Sequence, residues 1–419
     1  MGDGKLAIAL TLAAALAVGE AAAQGAPFDD ERPVDAIGEM LSIPETTGSV
    51  DAEPHRLPLE GVRPAEPVPP AVARRPAPKP ARPAPVAEAY PVDLLIALAN
   101  DAVYSDAPYP KGQHADPRMI KLQVLLDRAH ASPGVIDGIN GGNVAKAIAA
   151  FEMMIGHPVD GVMDAELWAR LESVSSEPVL TSYELTEKDV GGPFTPVLPA
   201  DYAEQAQLSA AGYRDPVEML AERFHMDEGF LRRLNPDIDF TMAGSVITVA
   251  NPGAPQKAKV ASIVADKGRR QIFAYDLAGR LVASYPATIG SADLPSPTGV
   301  HAVKAIAINP EYWYRPKVNF QQGENTKALR LPPGPNAPVG AVWIGLDKPT
   351  YGLHGTPEPS KIDKTNSHGC VRLTNWDANE LAHLVAPGVP VDFREPELPQ
   401  TAETEPLTTG ITPARAVPY

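Results

Sequence analysis

Nine prolines fall within the 22 residues from Pro64 to Pro85, mixed with alanine, valine, arginine and lysine. Proline fixes φ and removes a backbone donor, so a run of this kind fits neither a helix nor the interior of a sheet. It favours an extended polyproline II spacer. The whole chain holds 47 prolines in 419 residues, about twice the ordinary share of ~5%, and that excess must lie outside compact cores. Residues 24–91 therefore read as a proline-rich disordered linker, and 395–419 as a disordered tail of like composition. Folded structure is left to the stretch between them, where about two to four domains are expected for this length.

The N-terminus reads as a secretory signal over residues 1–23. Lys5 supplies a positive end, Leu6 to Val18 is a largely apolar run, and Ala21-Ala22-Ala23 offers a small-residue cleavage site. That run is shorter than the ~20 residues a bilayer span needs, so a cleaved signal and export, most simply to a periplasm, are expected. The single cysteine excludes an internal disulfide framework and any multi-cysteine metal site. The net charge of −16 is unevenly placed, since residues 257–394 hold 16 Lys and Arg against 11 Asp and Glu. The acidic remainder does not fit nucleic-acid binding, and the mildly basic C-terminal block suits an anionic substrate.

Three folded blocks follow. In residues 92–174, Met119, Leu122, Leu125 and Leu126 recur at helical spacing, and a second apolar helix runs from Val144 to Ile155. Two short echoes, Ile136-Asp137-Gly138 and Val159-Asp160-Gly161, bracket that helix as turns. Residues 175–200 read as a linker. In residues 201–251, Val217, Leu220, Ala221 and Phe224 make one helical face, and Phe230, Leu231 and Leu234 another. Asn235-Pro236 stops the second helix, and Val246 to Val249 reads as a strand. Residues 257–394 carry strand signals at Val260–Val264, Gln271–Tyr275, Leu281–Tyr285, Gly299–Ile308 and Ala341–Leu346. One helix, about Asn375 to Ala386, is capped by Thr374 and ended by Pro387-Gly388. The expected fold class is multidomain α+β: a small helical domain, a small α/β module and a C-terminal β-rich, sandwich-like domain.

The cysteine lies in Ser367-His368-Gly369-Cys370-Val371-Arg372, with His354-Gly355-Thr356 upstream. A free thiol with a pKa near ~8.5 is a few per cent thiolate at neutral pH, so it needs a base or a positive neighbour. His354 and His368 are both candidates for that base. Successive amides at His368, Gly369 and Cys370 can bind a developing oxyanion, with Gly369 allowing close backbone approach. These parts together suggest acyl transfer through a thioester. Two other readings stand beside it: a small buried apolar cysteine, and a metal held by His354, His368 and Cys370.

HGT followed by SHGCVRL resembles the catalytic signature of the L,D-transpeptidases of YkuD type. The resemblance extends to SPTGVHAV at Ser296–Val303, INPEYW at Ile308–Trp313, LPPGPNAPVGAVWIGL at Leu331–Leu346 and YGLHGT at Tyr351–Thr356. It implies that Cys370 is the nucleophile and that His354 is the general base, oriented by the Gly355 carbonyl. It further implies an oxyanion site at His368, Gly369 and Cys370, a loop held by Ser367, and Arg372 organising the pocket or meeting a substrate carboxylate. No metal or organic cofactor is required. The implied donor is a peptidoglycan stem tetrapeptide, with a second stem, water or an outer-membrane lipoprotein lysine as acceptor. KLQVLL, IDG, AIAAF and VDGVMDAELWARL resemble the helical peptidoglycan-binding domain. PVEMLAERFHMDEGFLRRLNP and GSVITVA resemble a degenerate LysM domain, a glycan-binding module, whose usual glycine-rich opening is here Ala211-Gly212-Tyr213-Arg214-Asp215.

Overall fold

A computed structural model describes residues 90–110, 112–290, 295–365 and 369–396. The expected signal, nearly all of the proline-rich linker, the tail beyond residue 396, Ser367 and His368 lie outside the described residues.

The helical block comprises α1 (Val92–Asn100), α2 (Pro117–Arg128), α3 (Gly142–Ile155) and α4 (Ala165–Glu172). Asp116 caps α2 by accepting from the amides of Arg118 and Met119, with Pro117 in the first turn, where a missing N–H costs nothing. Gly156 ends α3 at φ 70°, in the left-handed region that glycine tolerates best. The two Asp-Gly echoes share one device. Gln123 Oε1 accepts from the amides of Asp137 and Gly138 at 3.1 and 2.8 Å. Glu152 Oε2 does the same for Asp160 and Gly161 at 3.0 and 2.9 Å. Each turn is thus clamped to a neighbouring helix by one buried polar side chain.

The segment expected as a linker, 175–200, contains structure. It holds β1 (Leu180–Glu184) and α5 (Glu187–Gly191), and beyond it lie α6 (Tyr202–Gln205), α7 (Pro216–Arg223), α8 (Glu228–Leu234) and β2 (Val246–Ala250). β1 and β2 pair antiparallel from Leu180↔Ala250 to Glu184↔Val246. The strand was hidden because Leu180 is its only buried residue, which leaves no alternating apolar signal. It forms because β2 needs a partner for its backbone groups. Leu220, Phe230 and Leu231 of this module share a continuous core with Leu125, Ile136 and Leu171 of the helical block, and Val264 and Phe273 of the β-rich block join the same core. Arg128 ties the blocks further by donating to the carbonyls of Asn251, Glu177 and Pro178.

The β-rich block supplies β3 (Ser262–Asp266), β4 (Gln271–Tyr275), β5 (Leu281–Pro286), β6 (Thr288–Ile289) and β7 (Gly299–Ile308), then the hairpin strands β8 (Tyr312–Tyr314) and β9 (Leu329–Leu331). It continues with β10 (Val342–Leu346), β11 (Gly352–His354), β12 (Val371–Arg372), α9 (Asn375–Leu384) and β13 (Pro390–Arg394). Nine of these strands form one mixed sheet in the order β5-β4-β3-β13-β7-β10-β11-β12-β6. The architecture is barrel-like, not the expected sandwich of separate sheets. The reason is β7: Gly299 to Ala302 pair with β13, while Val303 to Ile308 pair with β10, so one ten-residue strand serves both halves. Ile263, Ile272, Ile344, Leu353 and Val391 converge on one core, closed by Ala378 and Leu381 of α9.

Candidate active site

Strand pairing assembles the site. β10 pairs antiparallel with β11, placing Trp343 opposite His354. β11 pairs parallel with β12, placing Leu353 opposite Val371 and His354 opposite Arg372. Cys370 immediately precedes β12, and the Leu373 amide donates to the His354 carbonyl at 2.9 Å. Gly369 is buried with φ 101°, a conformation L side chains rarely adopt, which accounts for glycine beside the cysteine. Cys370, His354 and Arg372 line one cleft of about 330 Å³ together with Tyr312, Trp343 and Thr350. Of the residues singled out in the sequence, Gly355, Gly369, Cys370, Arg372 and His354 are therefore brought together, while Ser367 and His368 lie outside the described residues.

The His354 ring is held by backbone carbonyls. Its Nδ1 lies 2.7 Å from the Gly355 carbonyl oxygen, which can only accept, so Nδ1 donates there, and the Val339 carbonyl also meets the ring. The indole of Trp343 stacks on the imidazole at 5.6 Å and 24°. A side chain at Gly352 would meet that indole at 2.7 Å, so the stack requires glycine there. Burial, assisted by the Arg372 charge, lowers the His354 pKa to about 4. Burial likewise raises the Cys370 thiol to about 11, against the opposing pull of a Gly352 backbone hydrogen bond and of Arg372. At neutral pH the pair accordingly rests as thiol and neutral imidazole, and the sulfur donates to the Thr350 carbonyl at 3.5 Å. An arrangement of this kind calls for proton removal during attack, not for a standing thiolate. Among the described residues no three His, Cys, Asp or Glu side chains gather as a metal-binding set.

Three contributors escaped the sequence reading. Asn375, the first residue of α9, accepts from the Ala341 amide at 3.1 Å, and its Oδ1 would sit 2.1 Å from a Cβ on Gly355. Its Nδ2 donates to both carboxylate oxygens of Glu222 at 3.0 Å. Glu222 belongs to α7 in the accessory module, so a buried chain of contacts runs from that module to the loop that orients His354. Burial pushes the Glu222 carboxyl up to about 8. Tyr202, also from that module, lines the cleft. Only helical periodicity marked α7, and nothing in it pointed to a site.

Residues 261–392 match the family model described as the L,D-transpeptidase catalytic domain. This block is an L,D-transpeptidase catalytic domain. Residues 115–171 match the model of a peptidoglycan binding domain. Among curated relatives, YkuD of Bacillus subtilis, named as an L,D-transpeptidase, is 29% identical over 178 residues, covering 42% of this chain and 92% of that protein. YbiS of Escherichia coli, also named as an L,D-transpeptidase, is 29% identical over 203 residues, covering 46% of this chain and 64% of YbiS. The solved L,D-transpeptidase from Mycobacterium smegmatis aligns at 18% identity and a TM-score of 0.28, over 36% of this chain and 64% of that one.

Proposed function

We propose that this L,D-transpeptidase acts on peptidoglycan outside the cytoplasm, with Cys370 as nucleophile and His354 as base. The observation that carries the reading is the buried His354, held by the Gly355 carbonyl and kept neutral by burial, in one cleft with Cys370. Cys370 Sγ attacks the carbonyl of the third residue of a stem tetrapeptide as His354 Nε2 takes the thiol proton. The amides at Gly369 and Cys370, with His368, stabilise the oxyanion. The carbon–nitrogen bond to the terminal D-alanine breaks, the proton passes to the leaving amine, and a thioester remains. An amine of a second stem then attacks the thioester, the carbon–sulfur bond breaks, and a proton returns to the sulfur. The product is a 3→3 crosslink; water or a lipoprotein lysine in place of the amine would give trimming or anchoring at the same site. Arg372 meets the donor carboxylate or organises the pocket, and Ser367 holds the loop.

The accessory blocks are read as wall-binding elements. The match at residues 115–171 supports this for the helical block. The pairing of β1 with β2, with the helix pair α7 and α8 leading into β2, supports a LysM-like reading of the module, although α5 and α6 also lie between the two strands. The N-terminal sequence supports export into a periplasm by a cleaved signal, and among the described residues no helix is long and apolar enough to cross a membrane.

The test is mass spectrometry of disaccharide-tetrapeptide incubated with the full chain and with Cys370→Ala. The expected product is a crosslinked dimer lacking one alanine, absent with the variant. Tripeptide alone would assign water as acceptor. An unmodified substrate in both would overturn the donor.

A further inference from the structure

The cleft around Cys370 is not built by the transpeptidase domain alone. Tyr202, at the start of α6 in the accessory module, lines it beside Tyr312, Cys370 and Arg372. Its position is secured from several sides. The ring makes edge contacts with Tyr312, Tyr314 and Phe320 at centroid distances of 6.4, 5.2 and 6.3 Å. Its amide donates to Gln322 Oε1 at 3.1 Å, and Gln322 Nε2 donates to the Ala200 carbonyl at 2.8 Å. Asn325 Nδ2 donates to Asp201 at 3.2 Å. The segment joining β8 to β9 is thus latched to α6. Lower down, the Ala211 amide donates to the Pro333 carbonyl at 2.8 Å, and Gly334 approaches Ala211 so closely that a Cβ would lie 2.1 Å from its carbonyl oxygen.

We propose that Tyr202 is a substrate-contacting residue of the transpeptidase cleft that grips the acyl-donor peptide, so that the accessory module completes the active site. The proposal rests on the stem-peptide reading above. The charge of this part of the cleft suits the donor's terminal carboxylate. Arg372 and Tyr202 share this part of the cleft, and the carboxylate that lines it, Glu311, is already paired with Arg330. A peptide ending in a carboxylate is favoured beside the guanidinium. The tyrosine ring then offers a flat apolar wall to the peptide backbone and side chain, with its hydroxyl at the wet end.

The experiment measures acylation of Cys370 in the full chain against disaccharide-tetrapeptide concentration, by intact-protein mass spectrometry, beside alkylation of the same thiol by iodoacetamide. Tyr202→Ala should raise the half-saturating donor concentration by about three- to tenfold, the scale of one aromatic contact. Its alkylation rate should stay within about twofold of the parent chain, and Tyr202→Phe, which keeps the ring, should recover most of the donor affinity that the alanine variant loses. Tyr202→Leu, which retains apolar bulk against Tyr314, should show the same loss of donor affinity if the alanine variant melts early. An unchanged half-saturating concentration in the alanine and leucine variants would overturn the proposal, as would equal losses of acylation and alkylation. If the parent chain is alkylated but never acylated by the tetrapeptide, the stem-peptide reading itself falls and takes the proposal with it.

Discussion

Burial has opposite consequences for the two central side chains. It disfavours whichever form is charged, so it lowers the imidazole of His354 to about 4 and raises the thiol of Cys370 to about 11. A base must be unprotonated to accept a proton, so the acid limb of kcat/KM should fall near pH 4, well below that of an exposed histidine. Above it, the rate of acylation should be nearly flat through neutrality. Iodoacetamide alkylation of Cys370, which follows thiolate content, should instead climb toward pH 11. Stopped-time alkylation and acylation over pH 3.5–10.5 would check both. A shared rise near pH 8 would mean that the thiolate forms before substrate arrives. The motif HGT…SHGCVRL identified these residues, but their protonation states follow from burial that the motif does not contain.

Helices and turns were the elements most readable in the sequence. α2, α3, α7 and α9 all follow apolar spacing, and the side-chain caps of α2, α7 and α9, at Asp116, Asp215 and Thr374, are local chemistry. The Asp-Gly echoes were visible as turns, whereas the side chains that clamp them were not. Gln123 is buried and accepts from two amides of its turn. Gln123→Ala should therefore leave those amides unsatisfied and lower stability by about 1–3 kcal/mol. Thermal or urea unfolding of the full chain would measure it. The corresponding change at an exposed position, such as Gln321, should cost less than about 0.5 kcal/mol. β1 was missed for the reason that the turns were found: its single buried residue carries no period, and only pairing with β2 makes it a strand.

At the scale of the whole molecule, the blocks form a shared core and not a tethered series. Glu222 joins the accessory module to Asn375 across 153 residues of sequence. Its carboxyl, raised to about 8 from an ordinary 4.5, holds a proton in the folded chain that the unfolded chain releases sooner. Its contribution to stability is complete below about pH 4.5 and is lost as pH rises through about 8. Glu222→Gln, an amide in the shape of the protonated acid, should then be nearly neutral at pH 4 and stabilising by about 1–3 kcal/mol at pH 9. Urea melts at the two pH values decide it, and a variant destabilised equally at both would show that the carboxylate is needed in its ionised form.

The sequence by itself determined the L,D-transpeptidase family of the C-terminal block, because HGT, SHGCVRL and their companion motifs are each written within short stretches of chain. It also determined the helices, whose period and caps are encoded within a few residues. It did not determine the joining of both sheet halves through β7, the pairing of β1, or the presence of Tyr202 and Glu222 beside the catalytic block. Those depend on which surfaces meet when distant segments bury their apolar faces together, and that complementarity is a property of the packed chain rather than of any local pattern.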